Sequence, residues 1–109
     1  MKLFAAYLAE RRGSFLLHEE GVGFATYEIS GEECYIIDIF VAKEHRRKKS
    51  ATSLADQIAS IARLRGCKYL KGTVDLSASG ARESSLALMQ YGFRPVHAQG
   101  DVIYFRKDL

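Results

Sequence analysis

The first third of the chain alternates between apolar and polar residues at intervals that predict a helix followed by short strands. The segment Lys2–Arg11 is predicted to be an amphipathic helix that Gly13 ends. Alternation over Phe15–His18 and Phe24–Ile29 predicts two strands. The next segment, Cys34–Val41, is almost continuously apolar, which is typical of a central strand buried on both faces. Short turns join the three strands, so an antiparallel meander is expected.

The apolar period lengthens in the middle of the chain. Within Thr52–Arg65, apolar residues recur at helical spacings and share one face of a predicted helix: Leu54, Ile58, Ile61 and Ala62. Gly66 stands where a helix-ending glycine belongs, and Tyr69–Leu76 follows as a further strand. Because a strand, a helix and a strand in this order form a crossover unit, we expect the two strands to lie parallel.

The last third predicts one more helix and a hairpin. The helix runs from Ser79 to Tyr91 and ends at Gly92, and the strands Phe93–Ala98 and Val102–Phe105 follow. The predicted fold class is therefore α+β, with a mixed sheet built from an antiparallel meander, a βαβ crossover and a C-terminal hairpin. The length suits one domain over residues 1–109.

Composition narrows the class of protein. Hydrophobic residues make up 48% and charged residues 27% of the chain, which predicts a packed globular fold. No apolar run is long enough to span a bilayer, and the N-terminal segment lacks the small-residue cleavage site of a signal peptide. Cys34 and Cys67 are far apart and belong to no metal-binding motif, so we expect no metal site and a reduced, cytoplasmic setting.

The positive charge of the chain is concentrated in one segment. Residues 43–49 hold five basic residues and one acidic residue, a local balance of +4, whereas the whole chain carries +3. The remaining residues therefore sum to −1. A charge confined in this way indicates an anionic partner that is held at one point.

This basic segment falls between a predicted strand and a predicted helix. The first N–H groups of a helix have no internal partner, so a strand-to-helix turn can bind phosphate. Side-chain charge would come from Arg46, Arg47, Lys48 and Lys49, and hydroxyl donors from Ser50, Thr52 and Ser53. Neither a Walker motif nor a GxGxxG motif is present. A solvated charged loop without a ligand is the alternative.

Two segments resemble the GCN5-related N-acetyltransferases (GNAT). The segment Ile37–Leu54 resembles the central motif of that family, with Arg46, Ala51 and Leu54 on its Arg, Gly/Ala and Leu positions. The segment Leu86–Phe93 resembles the closing helix of the family. The resemblance extends from residue 15 to the C-terminus and, within the family, is nearest to compact, N-terminally shortened proteins of tailed phages.

The resemblance implies transfer of an acetyl group from acetyl-CoA to a primary amine of a small molecule or a protein. In the family the pantetheine arm lies between two splayed strands, here Ile39–Ala42 and Lys71–Leu76. A backbone N–H near Phe40 or Val41 would polarise the thioester carbonyl. By the same resemblance, the cofactor-binding residues are Ile39, Phe40, Val41, Arg46, Arg47, Lys48, Lys49, Ser50, Ala51, Thr52 and Ser53.

Asp38 and Tyr91 are the catalytic candidates. Asp38 interrupts an apolar strand, and a buried carboxylate needs a partner or a purpose. In polyamine-type members of the family a matching Asp faces the amine; the alternative is a structural ion pair. Tyr91 comes three residues after the position of the family's tyrosine, and packing beside Gly92 is its alternative role. Asp75 and Ser77 either line the cleft or cap a loop.

Departures from the family pattern keep other functions open. Lys49 replaces the first glycine of the motif, Leu88 replaces the tyrosine, and the N-terminal region is short. An inactive module that binds CoA or a protein partner is therefore the second hypothesis. A nucleic-acid binder that uses the basic turn is the third, and the near-neutral remainder of the chain counts against it. The expected sheet edges, Phe15–His18 and Val102–Phe105, could be covered in a homodimer.

Overall fold

The computed structural model of the protein describes residues 1–109 and contains three α-helices and six strands. In chain order these are α1 (Lys2–Arg12), β1 (Phe15–Glu19), β2 (Gly23–Ser30), β3 (Glu33–Val41), α2 (Ser50–Leu64), β4 (Tyr69–Asp75), α3 (Ala81–Tyr91), β5 (Arg94–Gln99) and β6 (Val102–Asp108). A single 3-10 turn, Lys43–His45, precedes α2. None of the helices has the length and apolar character of a membrane-spanning segment.

The strands form one mixed sheet in the order β1-β2-β3-β4-β6-β5. Only β3 and β4 pair in parallel, across the α2 crossover, and the other neighbours are antiparallel. The predicted fold class is confirmed, including the meander, the crossover and the C-terminal hairpin. The edge predicted at Val102–Phe105 is wrong, because β6 lies between β4 and β5 and leaves β5 as the edge strand.

Helix α2 buries the apolar face that its spacing predicted. Leu54, Ile58 and Ala62 are fully buried, whereas Leu64, which lies off this face, is 88% exposed. Ile58 and Ala62 belong to a core cluster with residues on both sides of the crossover, among them Ala25 of β2 and Leu70 of β4. Burying such side chains removes apolar surface from water at about 25 cal/mol per Å², which holds α2 on one face of the sheet.

A β-bulge changes the side to which β3 presents its residues. Tyr27 of β2 pairs with Ile36 and Thr26 pairs with Asp38, so Ile37 is an extra residue in β3. Ile36 and Ile39 both pack against the core on the α2 side. Asp38 and the residues that alternate with it therefore face away from α2.

Strand β3 is not buried on both faces. Asp38 is exposed, and Phe40 on the same face is 49% exposed. Helices α2 and α3 both contribute to the core side of the sheet, while α1 packs mainly against β1. The prediction of a fully buried central strand is wrong because no helix covers this end of the outer face.

Candidate active site

The parallel strands β3 and β4 diverge soon after they meet. They pair only where Glu33, Cys34 and Tyr35 face Tyr69, Leu70 and Lys71. Beyond these pairs β3 continues to Val41 and β4 to Asp75 without mutual hydrogen bonds. The facing edges of the two strands are thus left with unpaired backbone groups, which is the splay that the family resemblance implied.

A cleft of about 300 Å³ lies where the strands part. Residues of both strands line it, together with the first half of α2 and one side of α3. Its lining is mostly apolar and contains one acidic residue: Ile36, Ile37, Asp38, Ile39, Ala51, Thr52, Ala55, Gly72, Thr73, Val74, Ser84, Ala87, Leu88, Tyr91 and Phe93. A mostly apolar cleft between two parting strands suits an elongated, partly apolar group.

The basic turn leads from the end of β3 into the N-terminus of α2, whose residues Ala51 and Thr52 line the cleft. Arg47 and Lys49 both adopt left-handed backbone conformations, with φ of 63° and 62°. No side chain caps α2, and its first return bond runs from the Ser53 N–H to the Lys49 carbonyl. The N–H groups of the first three residues, 50–52, therefore have no helical partner and carry a partial positive charge.

The basic side chains of the turn differ in what holds them. Nε of Arg46 donates to the carbonyl of Val41 at 3.0 Å, and its guanidinium lies 5.8 Å from the centre of the Phe40 ring. Arg47, Lys48 and Lys49 are exposed and form no ion pair. Three unpaired cations therefore lie in the turn just before the N-terminus of α2, whereas Arg46 is hydrogen-bonded to the last residue of β3.

The hydroxyl groups predicted as phosphate donors also differ. The Ser50 hydroxyl donates to the carbonyl of His45 at 3.1 Å and so stabilises the turn itself. The Ser53 hydroxyl points to the Glu19 carboxylate at 3.4 Å. Thr52 lines the cleft and makes no side-chain hydrogen bond, so its hydroxyl is the one available to a ligand.

Asp38 lies in the lining of the cleft and is exposed. The prediction that its carboxylate is buried is wrong, because the bulge turns it to the outer face of the sheet. None of the ion pairs involves this residue, and no side-chain hydrogen bond reaches it. The carboxylate is thus free to meet a cation from solvent.

Tyr91 also lines the cleft, but its hydroxyl group has a partner. It donates to Oδ1 of Asp56 at 2.6 Å, linking α3 to α2, and its ring centre lies 6.0 Å from that of Phe93. Burial and the Asp56 carboxylate raise the pKa of Tyr91. At the family's tyrosine position, Leu88 packs over Gly72, where an added Cβ would lie 3.3 Å from Leu88 Cδ2.

Asp75 and Ser77 cap the loop after β4. Both the N–H and the hydroxyl of Ser77 donate to Oδ1 of Asp75, at 2.9 and 2.7 Å. These bonds lower the pKa of Asp75. Neither residue lines the cleft, so the loop-capping interpretation is the one that the structure supports.

Sequence reasoning missed a polar pair beside the cleft. The hydroxyl groups of Tyr35 and Thr73 lie 3.0 Å apart, across β3 and β4 where the strands separate. Nζ of Lys71 lies 4.6 Å from the centre of the Tyr35 ring and 3.2 Å from the Glu33 carboxylate. The pair depends on the parallel register of β3 and β4, for which the sequence carries no local signal.

Comparisons with known proteins agree with this geometry. The sequence model of the acetyltransferase (GNAT) family matches residues 1–93. The structure is similar to that of a GNAT-family protein of Desulfovibrio desulfuricans, with a TM-score of 0.82 and 17% identity over 98% of this chain and 76% of that one. No curated protein matches the chain in sequence.

Two further solved structures contain a cofactor. PaiA N-acetyltransferase from Thermoplasma acidophilum, in complex with coenzyme A, has a TM-score of 0.80 and 16% identity over 99% of this chain and 70% of that one. A GNAT-family acetyltransferase from Elizabethkingia anophelis with acetyl-CoA bound has a TM-score of 0.73 and 20% identity over 99% and 82%. At these identities the likeness concerns the fold. The resemblance to phage proteins gains no support from these structures.

Proposed function

This chain belongs to the acetyltransferase (GNAT) family, and from that premise we propose that it transfers an acetyl group from acetyl-CoA to a primary amine of a small molecule or a protein. The observation that carries the proposal is the continuity between the splayed cleft of β3 and β4 and the uncapped, basic N-terminus of α2. An acyl-CoA molecule has the matching chemistry, since an anionic pyrophosphate is joined to a long, uncharged pantetheine arm.

The residues of the turn and of β3 fit this cofactor. The free N–H groups of residues 50–52, including Ala51, would bind the pyrophosphate, with Arg47, Lys48 and Lys49 adding charge. Arg46, Ser50 and Ser53 support the turn through the bonds described above. The unpaired edge of β3 over Ile39–Val41 offers backbone partners to the amides of the pantetheine arm.

The cofactor supplies an activated acetyl group, and the residues of the chain position and polarise it. A backbone N–H at Phe40 or Val41 would stabilise the charge that develops on the thioester oxygen, an effect commonly worth a few kcal/mol. The acceptor amine is protonated in solution, with a pKa of about 10.4 for a lysine-like amine. We assign to Asp38 the binding of this ammonium and the passage of its proton to water.

That Tyr91 donates a proton to the thiolate stays a proposal, and two features of the structure oppose this role. Its hydroxyl would have to leave the Asp56 carboxylate, and its raised pKa opposes proton release. The structural role, holding α3 against α2, accounts for the geometry without a catalytic step.

A second function, a CoA-binding or interaction module without turnover, is favoured by one observation. Leu88 occupies the space above Gly72 and presents no hydroxyl to the cleft. If no other group protonates the departing thiolate, cofactor binding would persist without transfer.

Calorimetric titration with CoA and acetyl-CoA, followed by an amine screen, tests these proposals. A true site stabilises the fold by about 2.7 kcal/mol when the ligand is at one hundred times its Kd. Replacing Arg46 and Arg47 with Ala should weaken CoA binding at least tenfold. The matched control replaces Arg11 and Arg12, two exposed arginines of α1, and should leave the affinity unchanged.

Each outcome decides between the hypotheses. Binding with transfer supports the acetyltransferase, and binding without transfer to any amine supports the inactive module. Absence of binding at millimolar CoA would refute the cofactor site altogether. Equal losses in the two double variants would mean that overall charge, and not the turn, attracts the cofactor.

A further inference from the structure

Two aromatic rings lie side by side on the outer face of the sheet, next to the cleft. Phe24 of β2 and Phe40 of β3 are cross-strand partners whose ring centres are 5.6 Å apart. Phe40 is 49% exposed, whereas Phe93 and Phe105 in the core are almost completely buried. A phenylalanine pair on an open sheet face leaves flat apolar surface in contact with water.

An unpaired carboxylate adjoins these rings. Asp38 and Phe40 are two residues apart beyond the bulge, so they project from the same face of β3 at a separation of about 7 Å along the strand. The other side of the cleft is closed by α2 and α3, which contribute Ala55, Leu88 and other lining residues. An acceptor therefore reaches the splay most directly from the face that carries Asp38 and Phe40.

We propose that the acceptor is a small aromatic monoamine of the arylalkylamine class, whose ammonium binds Asp38 while its ring lies against Phe40 and Phe24. This inference rests on the proposed transferase function and names its substrate class. In such an amine a short alkyl link separates the charge from the ring by several ångströms, comparable with the ~7 Å between alternate residues of a strand. The ring would gain an aromatic contact with Phe40 in addition to the apolar area that it buries.

The charges of the cleft argue against a polyamine. Asp38 is its one acidic lining residue, so a second ammonium would find no carboxylate partner there. The guanidinium of Arg46, 5.8 Å from the Phe40 ring centre, would also repel a second positive charge. An amine with one positive charge and an uncharged aromatic ring satisfies both conditions.

The transfer itself balances without a further reactant. The deprotonated amine forms a bond from nitrogen to the acetyl carbon, and the bond from that carbon to sulfur breaks with its electron pair on sulfur. Nitrogen loses two protons: the first leaves the ammonium and passes through Asp38 to water, and the second leaves the nitrogen after its bond to the acetyl carbon has formed and is taken up by the departing thiolate, which becomes the free thiol. The products are an N-acetylated arylalkylamine and CoA.

The test compares kcat/KM for 2-phenylethylamine, butylamine and spermidine with acetyl-CoA. We expect the value for 2-phenylethylamine to exceed the other two at least tenfold. Phe40→Leu, which keeps an apolar side chain but removes the ring, and Phe40→Ala should each lower the ratio of 2-phenylethylamine to butylamine about tenfold, chiefly through KM. The matched control is Phe4→Ala on α1, where the phenylalanine is 41% exposed, and it should leave the ratio unchanged.

The outcomes separate this inference from the function on which it rests. Transfer to all three amines without preference, or a preference for spermidine, would overturn the aromatic acceptor and leave the acetyltransferase intact. A preference for 2-phenylethylamine that both Phe40 variants retain would overturn the assignment to this ring pair. Failure to bind acetyl-CoA, measured separately by calorimetry, would overturn the transferase proposal itself.

Discussion

Individual residues of the basic turn combine backbone strain with free charge. Arg47 and Lys49 hold left-handed conformations without being glycine, which costs an L-residue about 1–2 kcal/mol. Glycine is the residue that this backbone favours at position 49, in keeping with the family motif. The strain lies immediately before the free N–H groups of α2, at the point where we place the pyrophosphate.

Lys49→Gly tests whether the side chain at this position matters to the ligand. Removing the left-handed penalty offsets the greater freedom of glycine in the unfolded chain, about 0.5–1 kcal/mol, so we expect the free energy of unfolding to change by less than about 1 kcal/mol. CoA affinity should stay the same or improve, because the backbone becomes more accessible. Arg47→Gly makes the same backbone and charge change at a cation assigned to the pyrophosphate, so it should weaken CoA binding. A loss of affinity for Lys49→Gly as large as that for Arg47→Gly would show that the lysine itself contacts phosphate.

Tyr91→Phe separates a structural from a catalytic hydroxyl group. Loss of the bond to Asp56 should cost about 1 kcal/mol in urea unfolding. We expect kcat to fall less than threefold, because the hydroxyl is held by Asp56. Asp56→Ala, which removes the acceptor of this bond, should cause a similar loss of stability with Tyr91 intact. A hundredfold fall in kcat for Tyr91→Phe alone would be the size of a general-acid contribution and would return Tyr91 to the mechanism.

At the scale of elements, the apolar spacing together with the glycine and turn positions predicted each helix and strand and their order along the chain. The prediction of α2 succeeded because this helix buries one apolar face, from Leu54 to Ala62. The spacing of apolar residues also changes from the strand period to the helical period between β3 and α2. Helix α2 begins at Ser50, two residues before its predicted start. The left-handed Lys49 fixes that start, and backbone conformation at a non-glycine residue has no signature in the sequence.

The outer face of β3 shows why the site was only partly predictable. Its residues Asp38 and Phe40 looked buried because the segment is apolar, but an inserted bulge residue and the lack of a covering helix expose them. The basic turn was predicted from local charge and position. The Phe24–Phe40 and Tyr35–Thr73 pairs join distant parts of the chain, so they follow only once the strand register is known.

The packing of α3 on β4 depends on a glycine, and Gly72→Ala tests it. The added Cβ would lie 3.3 Å from Leu88 Cδ2, so the leucine or the helix must move. We expect a loss of about 1–3 kcal/mol in the free energy of unfolding. Leu88→Ala removes the crowding group, so the double variant should be more stable than the sum of the single effects by at least about 0.5 kcal/mol. Strictly additive effects would mean that α3 is not held by this contact.

The whole molecule is a sheet that carries α2 and α3 on one face and exposes Asp38 and Phe40 on the other. The face covered by α2 and α3 holds the core and the buried thiols, and the outer face presents Asp38 and the phenylalanine pair beside the splay. Cofactor and acceptor are thereby assigned to opposite sides of one gap between strands. Because the core and the acceptor residues lie on different faces, the effect of a core substitution on unfolding can be measured separately from the effect of a site substitution on activity.

The buried thiol of Cys34 makes the stability of the whole fold decrease at alkaline pH. Cys34 is fully buried, and burial, with smaller effects of Cys67 and Glu33, raises its pKa from 9.0 to about 12. The stability that the protonated thiol contributes is fully present below the unfolded pKa and is lost as pH rises toward the folded one. From about pH 9 upward the unfolded chain releases this proton first, so the free energy of unfolding should fall by up to about 1.4 kcal/mol per pH unit.

Urea unfolding between pH 8 and pH 10.5 measures this slope. Cys34→Ala should flatten it, because the titrating group is gone, even though the variant is less stable throughout. Val74→Ala, which shortens another buried side chain without removing a titrating group, is the matched control and should keep the slope of the parent protein. Tyr91, whose pKa burial also raises, contributes equally to all three proteins and cancels in the comparison. Burial and then Cys34 raise the pKa of Tyr27, so the contribution of Tyr27 should shrink in Cys34→Ala and flatten the slope further. Parallel curves for the parent and Cys34→Ala would show that the thiol at this position titrates in the folded core as it does in water.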